Sequence, residues 1–238
     1  MALFASNIIT SDSALGSAVI QRSLRFNRGD SAHLTYTPAS ASSDRTKITI
    51  SVWVKKCENN EGEYSIFHGG TSSTERSQLR FYHSGGYDNL SFFARVSGTF
   101  ILQCDTSAKF RDASAWYHIV ARCDTTNGTA NIYVNGEDQD LSTSTKPSGS
   151  QSLTFFNNVE HQIGERGYDG SGTYFDGYMT EINVIQGQAL DASYFGYTEF
   201  QTGIWRPKRY TGSYGDGFYL NFSTLGETAT TMGRDYSG

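Results

Sequence analysis

Residues 116–137 read WYHIVARCDTTNGTANIYVNGE, and the pattern in this stretch decides the fold. Tyr117, Ile119, Ala121 and Cys123 alternate with His118, Val120 and Arg122, the period of two that marks a half-buried strand. Ile132 and Val134 resume the alternation around Tyr133. Between the two runs stands Asn127-Gly128, a pair favoured where both turn residues need positive φ, and Asn135-Gly136 repeats it at the next strand end. A hairpin followed by a second tight turn is expected.

The same period recurs on both sides. In ITISVWVK, Ile48, Ile50, Val52 and Val54 oppose Thr49, Ser51, Trp53 and Lys55. In LSFFARV, Leu90, Phe92, Ala94 and Val96 oppose Ser91, Phe93 and Arg95. Shorter runs lie around Leu24 and Phe26, Leu34 and Tyr36, Leu79 and Phe81, Phe100 and Leu102, residues 178–185, and Phe218, Leu220 and Phe222. About ten short strands, each apolar on one side, predict an all-β fold: a two-sheet antiparallel jelly-roll sandwich in which each sheet covers the other. The Ser/Thr-rich segment 140–152 reads as a long surface loop, not a linker. Residues 23–223 are therefore taken as one domain, with an N-terminal arm at 1–22 and a C-terminal tail at 224–238.

Composition supports this class. The 238 residues include 25 Gly, 3 Pro and 14% aromatics, and only 18% are charged. A net charge of −5 without a Lys/Arg cluster argues against a nucleic-acid partner. No segment approaches the roughly 18 apolar residues of a membrane helix, and the amino terminus lacks the features of a signal peptide. Three irregularly spaced cysteines, Cys57, Cys104 and Cys123, suit neither a disulfide framework nor a zinc site. Buried free thiols at 104 and 123, and folding in a reducing cytoplasm, are expected.

Four stretches in order resemble the laminin-G-like, concanavalin A-like lectin/glucanase family: SLRFNRGDSAHLTYTPAS, ITISVWVKK, the 116–137 stretch, and YFDGYMTEINVIQGQAL. The phrases FRDASAWYHIV and GIWRPKRYTGSYGDGFYLNFS are similar to lectin-like virion proteins of tailed bacteriophages. That resemblance implies a non-enzymatic virion structural protein in a tail fibre, spike or capsid appendage. It also implies other virion chains as partners, a homo-oligomer with a trimer as first expectation, and host-surface polysaccharide as a possible ligand. Synthesis would be in the host cytoplasm, with the virion as final location. A purely structural decorating protein is the alternative, and a glycan-cleaving enzyme a third reading.

Catalytic signals are weak. Retaining glucanases need two carboxylates about 5 Å apart, which on a strand calls for alternating acids. The acidic groups Glu58/Glu61/Glu63 and Glu137/Asp138/Asp140 fall in turn-like sequence. The five histidines are scattered, and His118 is expected to pack or bond to a neighbouring strand. Asp169 and Asp176 fall short of the six or more oxygens a calcium ion takes. No cofactor, metal or catalytic residue is assigned. Arg28-Gly29-Asp30 reads as an ordinary turn.

The faces opposite the apolar stripes carry Trp53, Arg80, Tyr82, Arg95, Arg122 and Tyr133. Flat rings stack on sugars and guanidiniums fix hydroxyls, so these six are the candidate ligand residues. Subunit interfaces use the same residue types. Tyr87, Tyr168 and Tyr174 are expected at the rim.

Overall fold

The computed structural model describes residues 19–58, 62–84, 87–168, 173–223 and 233–237. In chain order its strands begin with β1 (Leu24–Phe26), β2 (Leu34–Tyr36), β3 (Lys47–Lys56), β4 (Gly62–Gly70) and β5 (Arg76–Ser84). Next come β6 (Tyr87–Val96), β7 (Thr99–Thr106), β8 (Tyr117–Asp124), β9 (Thr129–Val134), β10 (Glu137–Asp138) and β11 (Leu141–Thr145). The remainder are β12 (His161–Ile163), β13 (Glu165–Arg166), β14 (Thr173–Tyr174), β15 (Gly177–Gln186), β16 (Gly196–Thr198), β17 (Trp205–Pro207) and β18 (Phe218–Leu220). Among the described residues the only helical segments are two three-residue 3-10 turns, one of them Arg28–Asp30.

Two antiparallel seven-stranded sheets stack face to face. Sheet 1 runs β1-β15-β3-β8-β9-β10, with β18 also on β15; sheet 2 runs β11-β7-β6-β5-β4-β12-β2. The alternation read from the sequence sets the register: Ile48, Ile50 and Val52 of β3 stand opposite Cys123, Ala121 and Ile119 of β8. All six are fully buried, in one cluster with Leu79, Phe81, Leu90 and Phe92 of sheet 2. Burial pushes the Cys104 thiol up to about 11 and the Cys123 thiol up to about 12, so both are inert core residues.

Two of the register shifts in the sheets change which residues face the core. Glu181, at φ 49°, interrupts the β15–β3 pairing between Thr180 and Asn183. The extra residue lets Met179 and Ile182, three apart, both face the core. β1 pairs with β15 on one side of this bulge and β18 on the other. The two ends of the domain therefore lie in line along one strand edge and do not pair with each other. In β4 a register shift between Ser65 and Phe67 sends both Ile66 and Phe67 inward.

Several local expectations change. Asn127-Gly128 closes a four-residue loop, not a two-residue turn: only Gly128 (φ 64°) is left-handed, and Asn127 instead donates to both carboxylate oxygens of Asp124. Asn135 (φ 49°) and Gly136 (φ 87°) do form the tight turn expected. Leu141–Thr145, read as loop, is an edge strand on β7. Glu63, read as turn, lies in β4. Residues 1–18 of the expected arm and 224–232 of the tail fall outside the described residues. Residues 233–237 return to β18, where Tyr236 N–H donates to the Tyr219 carbonyl.

Candidate functional site

The six candidate residues fall on two opposite outer faces. Trp53, Arg122 and Tyr133 project from sheet 1; Arg80, Tyr82 and Arg95 project from sheet 2.

The sheet 1 face is already covered by the chain's own C-terminal segment. Leu190, Phe195, Trp205, Tyr210 and Tyr214 pack there on Val120, Ile185, Tyr133 and Tyr219. His118 is the hub: its ring lies 4.9 Å from Trp53 and 5.9 Å from Trp205, stacked on both. Trp205 Nε1–H donates to His118 Nδ1 at 2.9 Å. Indole nitrogen can only donate, so Nε2 carries the imidazole proton and gives it to Ser51 Oγ, 2.9 Å away. Burial pulls His118 down to about 3, and it stays neutral. Arg122 lies over the Tyr133 ring at 5.6 Å and bonds Asn131. Trp53 also borders a cavity of about 310 Å³ beside Trp116 and Arg22.

The sheet 2 face is built differently. Along β5 the outward positions are Arg76, Gln78, Arg80 and Tyr82, because Leu79 and Phe81 take the inward ones. Arg80 lies 4.7 Å from the ring centres of both Tyr82 and Phe93. Arg76 lies 5.0 Å from Phe93 and from Tyr168, and donates to the Tyr168 hydroxyl at 2.8 Å. Arg95 covers Phe100 and donates to the carbonyls of Ser73 and Gly98. Glu63 bridges the guanidiniums of Arg80 and Arg166. Burial alone would raise this carboxyl, but the two arginines outweigh it and hold it below the usual carboxylate range. Three guanidiniums thus surround one carboxylate, leaving the patch cationic. Burial and the flanking Arg80 and Arg166 pull Arg76 below the ordinary arginine value.

Beneath this layer several polar atoms have no protein partner among the described residues. They are both amide atoms of fully buried Gln78, Nε2 of His68, the hydroxyls of Ser65 and Ser91, and Nε of Arg76 and Arg80. A buried polar group left unpaired costs about 1–3 kcal/mol, so this face concentrates unsatisfied hydrogen-bonding capacity beneath its arginine layer. Tyr82, 41% exposed, presents its ring at the surface.

Arg76, Gln78, Glu63 and Arg166 were missed from sequence, and Tyr168 was expected only at the rim. The Arg76-Gln78-Arg80-Tyr82 alternation was legible by extending the Leu79–Phe81 pattern backwards. Arg166 and Tyr168 flank the β13–β14 turn, and only the tertiary fold brings them over β5. Of the expected rim, Tyr168 is on this face, Tyr174 leans on His33 instead, and the Tyr87 side chain lies outside the described residues. Asp169 lies outside them too, and Asp176 is ion-paired to Arg25. Among the described residues no cluster of three or more metal-ligating side chains occurs.

Comparison with known proteins agrees with the fold. No curated protein matches the chain by sequence. Solved structures do. The enzymatically active domain of tailspike protein 2 of bacteriophage CBA120 superposes with a TM-score of 0.53 at 12% identity, over 77% of this chain and 27% of that domain's chain. The NanB sialidase of Streptococcus pneumoniae gives 0.52 at 14% identity, over 74% and 28%. The heptameric SAP-like pentraxin of Limulus polyphemus gives 0.50 at 17% identity, over 79% and 84%. The chain thus spans about a quarter of the tailspike and sialidase chains it matches. A family model described as concanavalin A-like lectin/glucanases matches residues 28–193, most of both sheets, and the chain belongs to that superfamily.

Proposed function

We propose that this chain is a non-enzymatic virion structural protein of a tailed bacteriophage that binds host-surface polysaccharide through the outer face of sheet 2. The observation that carries the binding role is the Arg76–Arg80–Tyr82 layer over the buried Gln78 amide and His68 Nε2, atoms with no protein partner among the described residues. Exposed Tyr82 offers a ring for a sugar face, and the guanidiniums offer forked donors to hydroxyls and carboxylates. Arg76, Arg80, Arg95 and Arg166 against the outward carboxylates of Glu63 and Asp105 favour acidic sugars. The phage assignment is supported by the sequence phrases at 110–120 and 203–223.

The same face is poorly suited to glycan cleavage. Its outward carboxylates, Glu63 on β4 and Asp105 on β7, are separated by two intervening strands, so roughly 14 Å, beyond the spacing of either glycosidase mechanism. Glu63 is moreover held ionised, the wrong state for a general acid.

A glycan array with the purified protein tests the reading. Binding to bacterial surface polysaccharides is expected, weakened about tenfold by Tyr82→Ala, near 1.4 kcal/mol, and unaffected by Trp53→Ala. Affinity for acidic glycans should fall as salt is raised. Silence across the array, with higher-order species forming on gel filtration with other virion chains, would instead make this face an assembly contact.

A further inference from the structure

We propose that Lys56 and Asp88 condense to an amide that covalently ties sheet 1 to sheet 2, with His83 relaying the proton. This does not depend on the saccharide reading.

Lys56 ends β3 and continues the inward series Ile48, Ile50, Val52, Val54, so its side chain enters the core. His83 and Asp88 are paired across β5 and β6 at inward positions of the facing sheet. Lys56 Nζ meets Asp88 Oδ2 and also donates to the Phe110 carbonyl at 2.6 Å; His83 Nδ1 bonds the other carboxylate oxygen, Oδ1. The Lys56 and Asp88 side chains are 1% and 0% exposed. The Phe81 ring centre is 5.0 Å from Nζ, and Phe110 packs on Phe81 and Tyr117.

This arrangement meets the requirements of condensation. Burying an ion pair is unfavourable by several kcal/mol per ion, which favours the neutral amine and acid reached by one proton transfer. Burial indeed pulls Lys56 below the ordinary lysine value, against the opposing pull of Asp88. Two rigid strands hold nucleophile and carbonyl together, removing the entropy of a bimolecular encounter. In the step, Nζ attacks Asp88 Cγ and a C–N bond forms. The Cγ–OH bond then breaks: His83 Nδ1–H protonates the leaving hydroxyl and recovers a proton from Nζ. One water is released and leaves the apolar site for solvent, no electrons are exchanged, and no other reactant is needed.

Intact-mass spectrometry of the purified full chain is the test, followed by tryptic mapping after denaturation. A mass one water below the sequence value is expected, with no cleavage after Lys56 and a branched peptide joining its segment to that of Asp88. Asp88→Asn should reach the identical final mass, since it releases ammonia in place of water. Lys56→Met should show no such loss. His83→Gln, at equal fold content, should accumulate the crosslink more slowly; an equal rate would remove His83 from the step. Folded wild-type protein at the full sequence mass, cleaved normally after Lys56, overturns the proposal.

Discussion

At the scale of single residues, three buried histidines set how the protein responds to acid. His68, His118 and His161 each use a ring nitrogen as an acceptor or donor inside the fold: His68 with Gln162, His118 with Ser51 and Trp205, and His161 with the Phe156 N–H and the Val159 carbonyl. Burial lowers them from 6.5 to about 4, about 3 and about 4 respectively. Because each folded value lies below the unfolded one, protons bind the unfolded chain first as pH falls. Their stabilising contribution is complete above pH 6.5 and is lost progressively down to about 4 for His68 and His161, and about 3 for His118. At pH 5 each should withdraw on the order of 2 kcal/mol, a large share of a total near 5–15. Denaturant midpoints measured at pH 7 and pH 5 should differ steeply, and less so in His68→Gln. Equal midpoints would mean that these rings are hydrated. The packed role of His118 could be anticipated from its strand position, but not its partner Trp205, which is 87 residues away.

At the scale of elements, most strands were legible because their inward residues alternate without interruption, as in β3, β6 and β8. β4 was missed for a physical reason: its bulge places Ile66 and Phe67 inward consecutively, so EYSIFHGG never shows a clean period of two. β11 was missed because an edge strand of Ser and Thr with half-buried Leu141 has little apolar signal. The covering of sheet 1 by β16 and β17 depends on close approach. An added Cβ at Gly196 would lie 2.3 Å from the Trp205 ring, and one at Gly136, a left-handed turn residue, 2.5 Å from it. Gly196→Ala should therefore push the indole off His118 and admit water. An NMR titration should find the His118 value raised from about 3 towards 6.5. An unchanged titration would show that the indole does not seal this ring.

At the scale of the whole molecule, the sandwich presents two outer faces with different fates. The sequence identified aromatic and arginine side chains on the outward positions of both sheets, but alternation alone cannot say which face another part of the chain will cover. That was decided by residues 190–214, whose aromatic side chains close over sheet 1 and leave Arg80, Tyr82 and Arg95 on the opposite side. The covered face then serves stability and, on the function proposed above, the opposite one serves binding, with the hydrophobic core between them. Substitutions on the two faces share no partner and should act independently. Trp205→Ala should lower stability by about 2 kcal/mol, less than the ~3–5 typical of fully buried Trp because this ring is only half-buried, and leave glycan affinity unchanged. Arg80→Ala should do the reverse, weakening glycan binding with a smaller effect on the denaturant midpoint. The double variant should match the sum of both within about 0.5 kcal/mol in stability and in binding. Arg80→Ala with Arg166→Ala should depart from additivity in binding, because both guanidiniums hold the one Glu63 carboxylate. If Trp205→Ala weakened binding as much as Arg80→Ala, the ligand would lie on sheet 1, and the division of labour between the faces would be reversed.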